Sequence, residues 1–197
     1  MLAVIGRAWV RPKVTSRIVR QFIESLGASA AVVAGGLNLT PDELGEVGAT
    51  TYIVTGYVDD IVVTKSWGAA GRLLDGKCLP IMGFRVCGIG GVDAVQSAEL
   101  LMLRYRGYEP DVLITSVPPK GFMDENPVLR VRTGALEVRE AVKVLRPKIL
   151  IFSGKVPGWG SVEGVPAIST GEALGGCAAT YGQGGARLRC SRLLRFR

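Results

Sequence analysis

Short apolar segments alternate with longer amphipathic ones along most of this chain. The short segments have the length and β-branched character of buried strands, and each ends at glycine, proline or a polar residue. On this pattern we predict strands at residues 2–5, 32–36, 52–56, 112–116 and 148–152. The last two stop at Val-Pro-Pro-Lys-Gly and Ser-Gly-Lys-Val-Pro-Gly, which predicts irregular loops at their carboxyl ends. Sites in open α/β sheets form at such strand ends.

The longer segments are typical of helices that pack on a sheet. Apolar residues recur at helical spacing from 15 to 26, and Gly27 suits a left-handed stop. Asp93 and Gln96 resemble a capping box for a helix at 94–106, closed by Gly107. Another helix is predicted from 133 or 134 to 145. Strand-helix-strand units of this length favour parallel strands with the helices outside, so an α/β fold is predicted.

Two stretches lack the helical pattern and are interpreted as the antiparallel part of the sheets. Residues 61–91 are predicted to form short strands, with Asp75-Gly76 as the turn of a hairpin. Residues 161–181 are predicted to form further β segments near the end of the chain. These stretches would complete the sheets that the parallel strands begin.

Taken in order, the strand ends resemble those of the calcineurin-like metallophosphoesterase family. That family carries Asp-x-His after its first strand, Gly-Asp after the second, Gly-Asn-His-Asp after the third, Thr-His-x-Pro-Pro after a later one and Gly-His-x-His near the end. The resemblance covers residues 1–181 and includes DGKCLPIMGFRVCGIGG at 75–91 and AISTGEALGG at 167–176. It implies a four-layer α-β-β-α sandwich of two mixed β-sheets, with residues 182–197 left as a basic, Arg-rich tail.

The metal ligands of that family are missing here. Matched position by position, they fall on residues unsuited to a metal pair, with Asp59 as the one survivor; the replacements are Gly6, Ala8, Gly36, Tyr57, Val58, Ser116, Gly154 and Val156. The chain contains no histidine. A two-metal phosphoesterase needs oxygen and imidazole ligands to hold both ions and activate a water. The resemblance therefore implies a pseudoenzyme with no catalytic residue, no metal and no cofactor.

Other residues that could carry chemistry are predicted to be structural. The adjacent acids at 59–60 and 124–125 could bind Mg²⁺, but such pairs are more typical of solvated turns. The glycines at 88–91 resemble a phosphate cradle without its Lys-Ser/Thr ending. Ser116 has no histidine base for nucleophilic catalysis, and Lys155 either binds an anion or lies exposed on a loop.

The chain has four cysteines, Cys78, Cys87, Cys177 and Cys190. They include no CxxC pair, and without histidine they make a poor zinc site. We expect buried free thiols, with a disulfide as the alternative if the protein comes from a hyperthermophile.

Positive charge is concentrated at the two ends of the chain. The formal net charge is +7, and none of the 17 acidic residues lies within 1–20 or 181–197. Arginine binds phosphates through a planar fork and stacks on bases. We predict nucleic-acid contacts at Arg7, Arg11, Lys13, Arg187, Arg189, Arg192, Arg195 and Arg197. Gly182, Gly184 and Gly185 are interpreted as a flexible joint before the C-terminal arginines.

Three functions are compatible with these features. The first is a catalytically inactive phosphoesterase-like protein that binds structured RNA in association with the ribosome. The second is a protein-protein scaffold, as implied by the phosphoesterase-like subunit of retromer, and it leaves the basic ends without a role. The third is a metal-free or atypical phosphoesterase. No apolar run reaches the roughly 18 residues of a membrane span, and the first residues lack a secretion-signal pattern, so we expect a cytoplasmic protein.

Overall fold

The computed structural model describes residues 1–91 and 93–191. Its strands are β1 (Leu2–Ile5), β2 (Ala30–Ala34), β3 (Thr50–Val54), β4 (Lys77–Ile81), β5 (Phe84–Ile89), β6 (Val112–Thr115), β7 (Ile149–Phe152), β8 (Pro157–Val162), β9 (Val165–Thr170), β10 (Cys177–Gly182) and β11 (Gly185–Cys190). Its helices are α1 (Pro12–Leu26), α2 (Pro41–Leu44), α3 (Ile61–Ala69), α4 (Ala94–Arg104) and α5 (Leu136–Leu145), with a 3-10 turn at Ala173–Gly175.

Within these residues the strands form two mixed sheets. Sheet A has the order β11-β10-β1-β2-β3, and sheet B has the order β4-β5-β6-β7-β9-β8. The parallel pairs are β1 with β2 and β2 with β3 in sheet A, and the run β5, β6, β7 and β9 in sheet B. Antiparallel strands complete both sheets, as β10 and β11 in one and as the edge strands β4 and β8 in the other.

Three apolar layers hold this arrangement together. Strand β1 shows the principle, because Leu2 and Val4 pack between the two sheets while Ala3 and Ile5 pack on the outer side, against α1 and α3. A third layer joins sheet B to α4 and α5. Successive side chains of a strand point to opposite faces, so a strand covered on both sides is apolar throughout. The predicted four-layer α-β-β-α sandwich is confirmed.

The helices that were predicted from periodicity are also confirmed. Helix α1 ends at Gly27, which adopts the left-handed conformation (φ 61°). Helix α4 is capped by Asp93, whose carboxylate accepts a hydrogen bond from the backbone N–H of Gln96 at 2.9 Å. Helix α5 is shorter at its start than predicted and ends at Leu145.

The prediction of strands across residues 61–91 is wrong for its first third. Residues 61–69 form α3, although the Ile-Val-Val-Thr start has high β propensity. Asp60 caps this helix by accepting from the N–H of Val62 at 2.7 Å, and buried Trp67 donates through Nε1 to the carbonyl of Leu39 at 2.6 Å. Capping and burial of one large side chain therefore override the β propensity.

The hairpin predicted in the same stretch exists, but its turn lies elsewhere. Strands β4 and β5 pair antiparallel through Ile81 and Phe84, so the turn residues are Met82 and Gly83 and not Asp75 and Gly76. Both turn residues have positive φ, 53° and 80°, which is what two-residue hairpin turns require.

The prediction of free cysteines is wrong. Cys78 pairs with Cys87 across the hairpin β4-β5, and Cys177 pairs with Cys190 across β10-β11. In both cases the two residues are direct partners in the strand register, which brings their side chains together on one face. This register cannot be deduced from cysteine spacing alone.

The C-terminal arginine segment is also not a free tail where the structure describes it. Gly182 pairs with Gly185, so the glycines predicted as a flexible joint form the turn of a hairpin. Residues 185–190 are the edge strand of sheet A, and the folded body extends beyond the predicted boundary at 181. Ala186 and Leu188 pack toward the layer between the sheets, whereas Arg187 and Arg189 are exposed. Residues 192–197 lie outside the described residues.

None of the helices in the described residues is both long and apolar enough to cross a membrane.

Candidate functional site

The carboxyl ends of strands from both sheets meet around one cavity. Its walls come from the residues that follow β1, β2, β3, β6 and β7, and its volume is about 460 Å³. Among the lining residues are Arg7, Gly36, Tyr57, Ser116, Ser153 and Gly154. A site was predicted at these strand ends from the sequence, and the structure confirms that they converge.

Arg7 is one of the residues that line this cavity, and it contacts two others. Its backbone N–H donates to Ser153 Oγ at 3.1 Å, and its guanidinium lies beside Tyr57, with Nη1 donating to the phenol oxygen at 3.3 Å. The guanidinium carbon is 5.8 Å from the centre of the Tyr57 ring, within the range of a cation–π interaction. No acidic side chain in the described part of the chain forms an ion pair with Arg7.

No family model and no curated protein matches this sequence. Solved structures do match its fold. They include the protein TT1561 of Thermus thermophilus (15% identity, 96% of this chain and 97% of that one, TM-score 0.69) and a novel archaeal phosphodiesterase (10% identity, 95% and 98%, TM-score 0.54). A third is a conserved uncharacterised protein, a predicted phosphoesterase, from Streptococcus pneumoniae (10% identity, 96% and 97%, TM-score 0.50).

The chain has the calcineurin-like phosphoesterase fold. The similarity extends over nearly the full length of this chain and of those it resembles, so the sandwich as a whole is shared.

Three glycines stand where the phosphoesterase family has metal ligands, and none of them has room for a side chain. A Cβ at Gly6 would overlap the carbonyl oxygen of Gly171 and lie 2.7 Å from Thr170 Oγ1. A Cβ at Gly154 would overlap Ser169 Oγ. At Gly36 it would lie 2.8 Å from Cγ of Arg7, whose aliphatic stem fills the space. A larger side chain would have to displace the backbone at Gly6, the Ser169 side chain at Gly154 and the Arg7 side chain at Gly36.

A metal pair therefore does not fit the residues present. The phosphoesterase positions offer glycine, alanine, valine, tyrosine and serine, and the described residues contain no group of three or more His, Cys, Asp or Glu placed to hold a cation. Divalent metals in such centres need several carboxylate or imidazole donors around each ion.

Asp59, the surviving acid of the phosphoesterase motifs, binds backbone instead. Its carboxylate accepts three hydrogen bonds, from the N–H groups of Gly36 at 2.9 Å, Gly56 at 2.7 Å and Asn38 at 2.6 Å. The neighbouring Asp60 caps α3. Both carboxylates of the pair that could have bound Mg²⁺ thus bind backbone, Asp59 by joining the loops after β2 and β3 and Asp60 by capping α3.

Replacing Asp59 with asparagine should destabilise these loops. Asparagine keeps one accepting oxygen but presents an NH2 group to backbone donors that have no other partner, so we expect a loss of about 2 kcal/mol in the free energy of unfolding. Urea denaturation of Asp59→Asn, with Glu99→Gln on the exposed side of α4 as the matched control, measures the effect. A loss no larger than that of the control would contradict this role.

The sequence predicted Asp75 only as a turn residue, but its carboxylate contacts the residue that follows β3. It accepts hydrogen bonds from the N–H of Thr55 at 3.0 Å and from Thr55 Oγ1 at 2.5 Å. Burial raises the pKa of Asp75 above its ordinary value of 3.8, and this outweighs the lowering by the two Thr55 hydrogen bonds. It is not among the residues that line the cavity.

The raised pKa of Asp75 predicts a pH dependence of stability. The folded protein holds this proton more tightly than the unfolded chain, so the stabilisation is fully present below pH 3.8 and is lost as pH rises through the folded pKa. Asp75→Asn lacks this titration. We therefore expect the unfolding free energy of Asp75→Asn, relative to wild type, to increase from about pH 3 to pH 7 in parallel denaturation curves. A difference that is flat with pH would show that Asp75 has an ordinary pKa.

The remaining candidates have structural roles. Asp124 is buried, accepts from the N–H of Gly121 at 2.8 Å and lies 3.8 Å from Arg132 Nη1. Gly88 and Gly90 are tightly packed against Leu74 and Asp75, which leaves no open phosphate cradle. Lys155, at the cavity rim, forms an ion pair with Glu172 at 2.6 Å.

The structure separates the predicted RNA contacts into two groups. Arg7 belongs to the cavity, whereas Arg11, Lys13, Arg187 and Arg189 are exposed on the surface. The strand register places Arg189 level with the end of β1, because Arg189 pairs with Ala178 and Ala178 pairs with Ile5. Strands in a sheet are about 5 Å apart, so the backbones of Arg189 and Ile5 are about 10 Å apart. Arg11 and Lys13 lie in the segment that follows β1. Arg192, Arg195 and Arg197 lie outside the described residues.

Proposed function

We propose that this protein is a non-hydrolytic member of the phosphoesterase fold that binds structured RNA through exposed cations. The missing metal ligands support the first half of this proposal. Hydrolysis in this fold depends on a metal-activated water, and the chain lacks the donors that would hold the ions. Phosphodiesterase assays across divalent metals should therefore detect no turnover above that of a mock preparation.

The observation that supports RNA binding is the placement of the exposed cations. Arg11, Lys13, Arg187 and Arg189 form no ion pair with an acid within the described residues, and Arg189 is level with the end of β1, from which the chain leads to Arg11 and Lys13. Cations that are not neutralised internally are available to phosphates.

Helix α1 adds a second reason to assign these cations a partner. Its first turn contains Lys13 and no acid, and Arg11 precedes it without a side-chain cap. Positive charge at a helix N-terminus opposes the helix dipole, so these side chains do not serve the stability of α1. Binding of phosphate groups would compensate for the unfavourable placement.

Salt dependence of RNA affinity tests the proposal. We would measure binding of purified ribosomal RNA and of a short hairpin RNA from low to moderate salt, for wild type and for Arg11→Ala, Lys13→Ala, Arg187→Ala, Arg189→Ala combined. Each phosphate contact releases counterions, so losing four contacts should flatten the salt slope by about 3 units. The control replaces Arg130 and Lys143, which already pair with Glu125 and Glu140. A slope equal to that of the control would refute RNA binding by this surface.

A protein scaffold is the second candidate, and one observation favours it. Beside the cavity, Val128, Leu129 and Val131 are exposed by 84%, 67% and 49% on one turn. Adjacent exposed apolar side chains mark sites of protein contact. If the RNA slope is unchanged but Val128→Ser with Leu129→Ser abolishes co-purification of a protein at fixed stoichiometry, the scaffold function replaces RNA binding.

A further inference from the structure

The cavity at the strand ends has the form of a small-molecule site. Its volume of about 460 Å³ lies within the usual range for ligand pockets. Gly35, Gly36, Gly56 and Gly154 contribute only backbone atoms to its lining. We call these four residues the glycine floor. The walls of the cavity include Val117, Pro118, Leu129 and Val131. A flat apolar group could lie against such a floor and wall.

Most polar side chains that line this cavity already have partners. The side-chain oxygen of Asn126 accepts from the N–H groups of Val128 and Leu129. The Thr133 hydroxyl donates to the carbonyl of Asp124, and Ser153 Oγ accepts from Arg7 N–H. A ligand rich in hydrogen-bonding groups, such as a nucleobase, would find few partners here.

The charged group that remains available to a ligand is Arg7. Its guanidinium has only the Tyr57 phenol as a partner, and it has no carboxylate partner in the described chain. Ser116 Oγ also lacks a hydrogen-bond partner among the described residues, but this oxygen is buried and packs beside Gly91, so a ligand in the cavity does not reach it.

The charge of the cavity limits the ligand further. Lys155 is neutralised by Glu172 at 2.6 Å, so Arg7 supplies the net charge of one positive unit. One guanidinium matches the two oxygens of a carboxylate, whereas a phosphate dianion would leave one negative charge uncompensated in a largely apolar site.

We propose that this cavity binds a small aromatic monocarboxylate, with its carboxylate on Arg7 and its ring against the glycine floor. This site goes beyond RNA binding and shares none of the four exposed cations assigned to it. The stem of Arg7 on Gly36 and the Tyr57 contact hold the guanidinium in place before the ligand arrives, which lowers the entropy cost of binding.

The test is a comparison of four probes by isothermal titration calorimetry on the full chain. 3-Phenylpropanoate carries the ring and one carboxylate, and 3-phenylpropanamide is its neutral counterpart. Phenyl phosphate carries a phosphate on an aromatic ring, and adenosine monophosphate carries one on a nucleoside. We expect the carboxylate to bind at least about tenfold more tightly than the amide, because the hydrogen bonds to Arg7 are charge-assisted. Tighter binding of either phosphate, or equal binding of the amide, would overturn the proposal.

Variants then locate the site. Arg7→Gln should weaken 3-phenylpropanoate binding about tenfold or more, while the exposed Arg104→Gln on α4 should have no effect. Thermal melting of each variant verifies that it is folded, and Gly36→Ala gives a second way to displace Arg7 with its charge retained. RNA affinity should be unaffected by Arg7→Gln, because Arg7 is not among the four exposed cations assigned to RNA, so failure of one function does not imply failure of the other. Unchanged affinity in folded Arg7→Gln would refute the site.

Discussion

Gly6→Ala is expected to lower the free energy of unfolding by about 3 kcal/mol or more. The added methyl group would overlap the carbonyl of Gly171 and press on Thr170 Oγ1, and backbone atoms cannot move aside as the end of a side chain can. For a chain of this size, such a loss corresponds to a melting temperature lower by roughly 6 to 12 °C. Circular dichroism melts measure it directly.

Gly182→Ala is the matched control for this substitution. A Cβ at Gly182 meets no atom within 4 Å, and the residue lies in a strand. Its stability should therefore equal that of the wild type within about 0.5 kcal/mol or exceed it slightly. Gly6→Asp should be as unstable as Gly6→Ala and should bind no Mn²⁺. A stable Gly6→Asp protein that binds the ion would show that the metal position is open.

Loss of both disulfides should lower the free energy of unfolding by about 5 kcal/mol, more than Gly6→Ala does. The bonds close loops with sequence separations of 9 and 13 residues, and chain-entropy estimates give about 2.5 to 3 kcal/mol for each. The bonds lie in different sheets, so their contributions should add. Denaturation of Cys78→Ala with Cys87→Ala, of Cys177→Ala with Cys190→Ala, and of all four together measures the separate and combined losses.

Hydrogen exchange would show where the second bond acts. In the variant without Cys177 and Cys190, the amides of edge strand β11 should lose protection, while those of β2 should keep it. Wild-type stability that is the same with and without a thiol reductant would mean that the cysteines are free, as expected from the sequence.

Much of the fold could be predicted because its signals are local. The face of α1 repeats at helical spacing, and apolar runs such as 112–116 and 148–152 have the length of buried strands. Residues 61–69 were not predictable in the same way. Their β-branched start favours a strand, and the helix depends on Trp67 reaching Leu39, a contact between distant parts of the chain.

The position of the candidate site could also be predicted, but its contents could not. Strand ends and the phosphoesterase resemblance locate the cavity, and the missing ligands can be read from the sequence. The closure of Gly6 by Gly171, the stem of Arg7 over Gly36 and the unpaired Ser116 hydroxyl depend on contacts across the chain. The same is true of β11, whose glycines suit a flexible joint as well as a hairpin turn.

The position of β1 in the middle of sheet A affects the order in which the strands can pair during synthesis. Leu2 pairs with Ala30 on one side and with Tyr181 on the other, so the second partner is synthesised long after the first. Contacts between residues so far apart slow folding, and a nascent chain would carry one edge of β1 unpaired until residues 178–181 are synthesised. We therefore expect sheet A to close only after the C-terminal hairpin has left the ribosomal exit tunnel, with sheet B assembled before it.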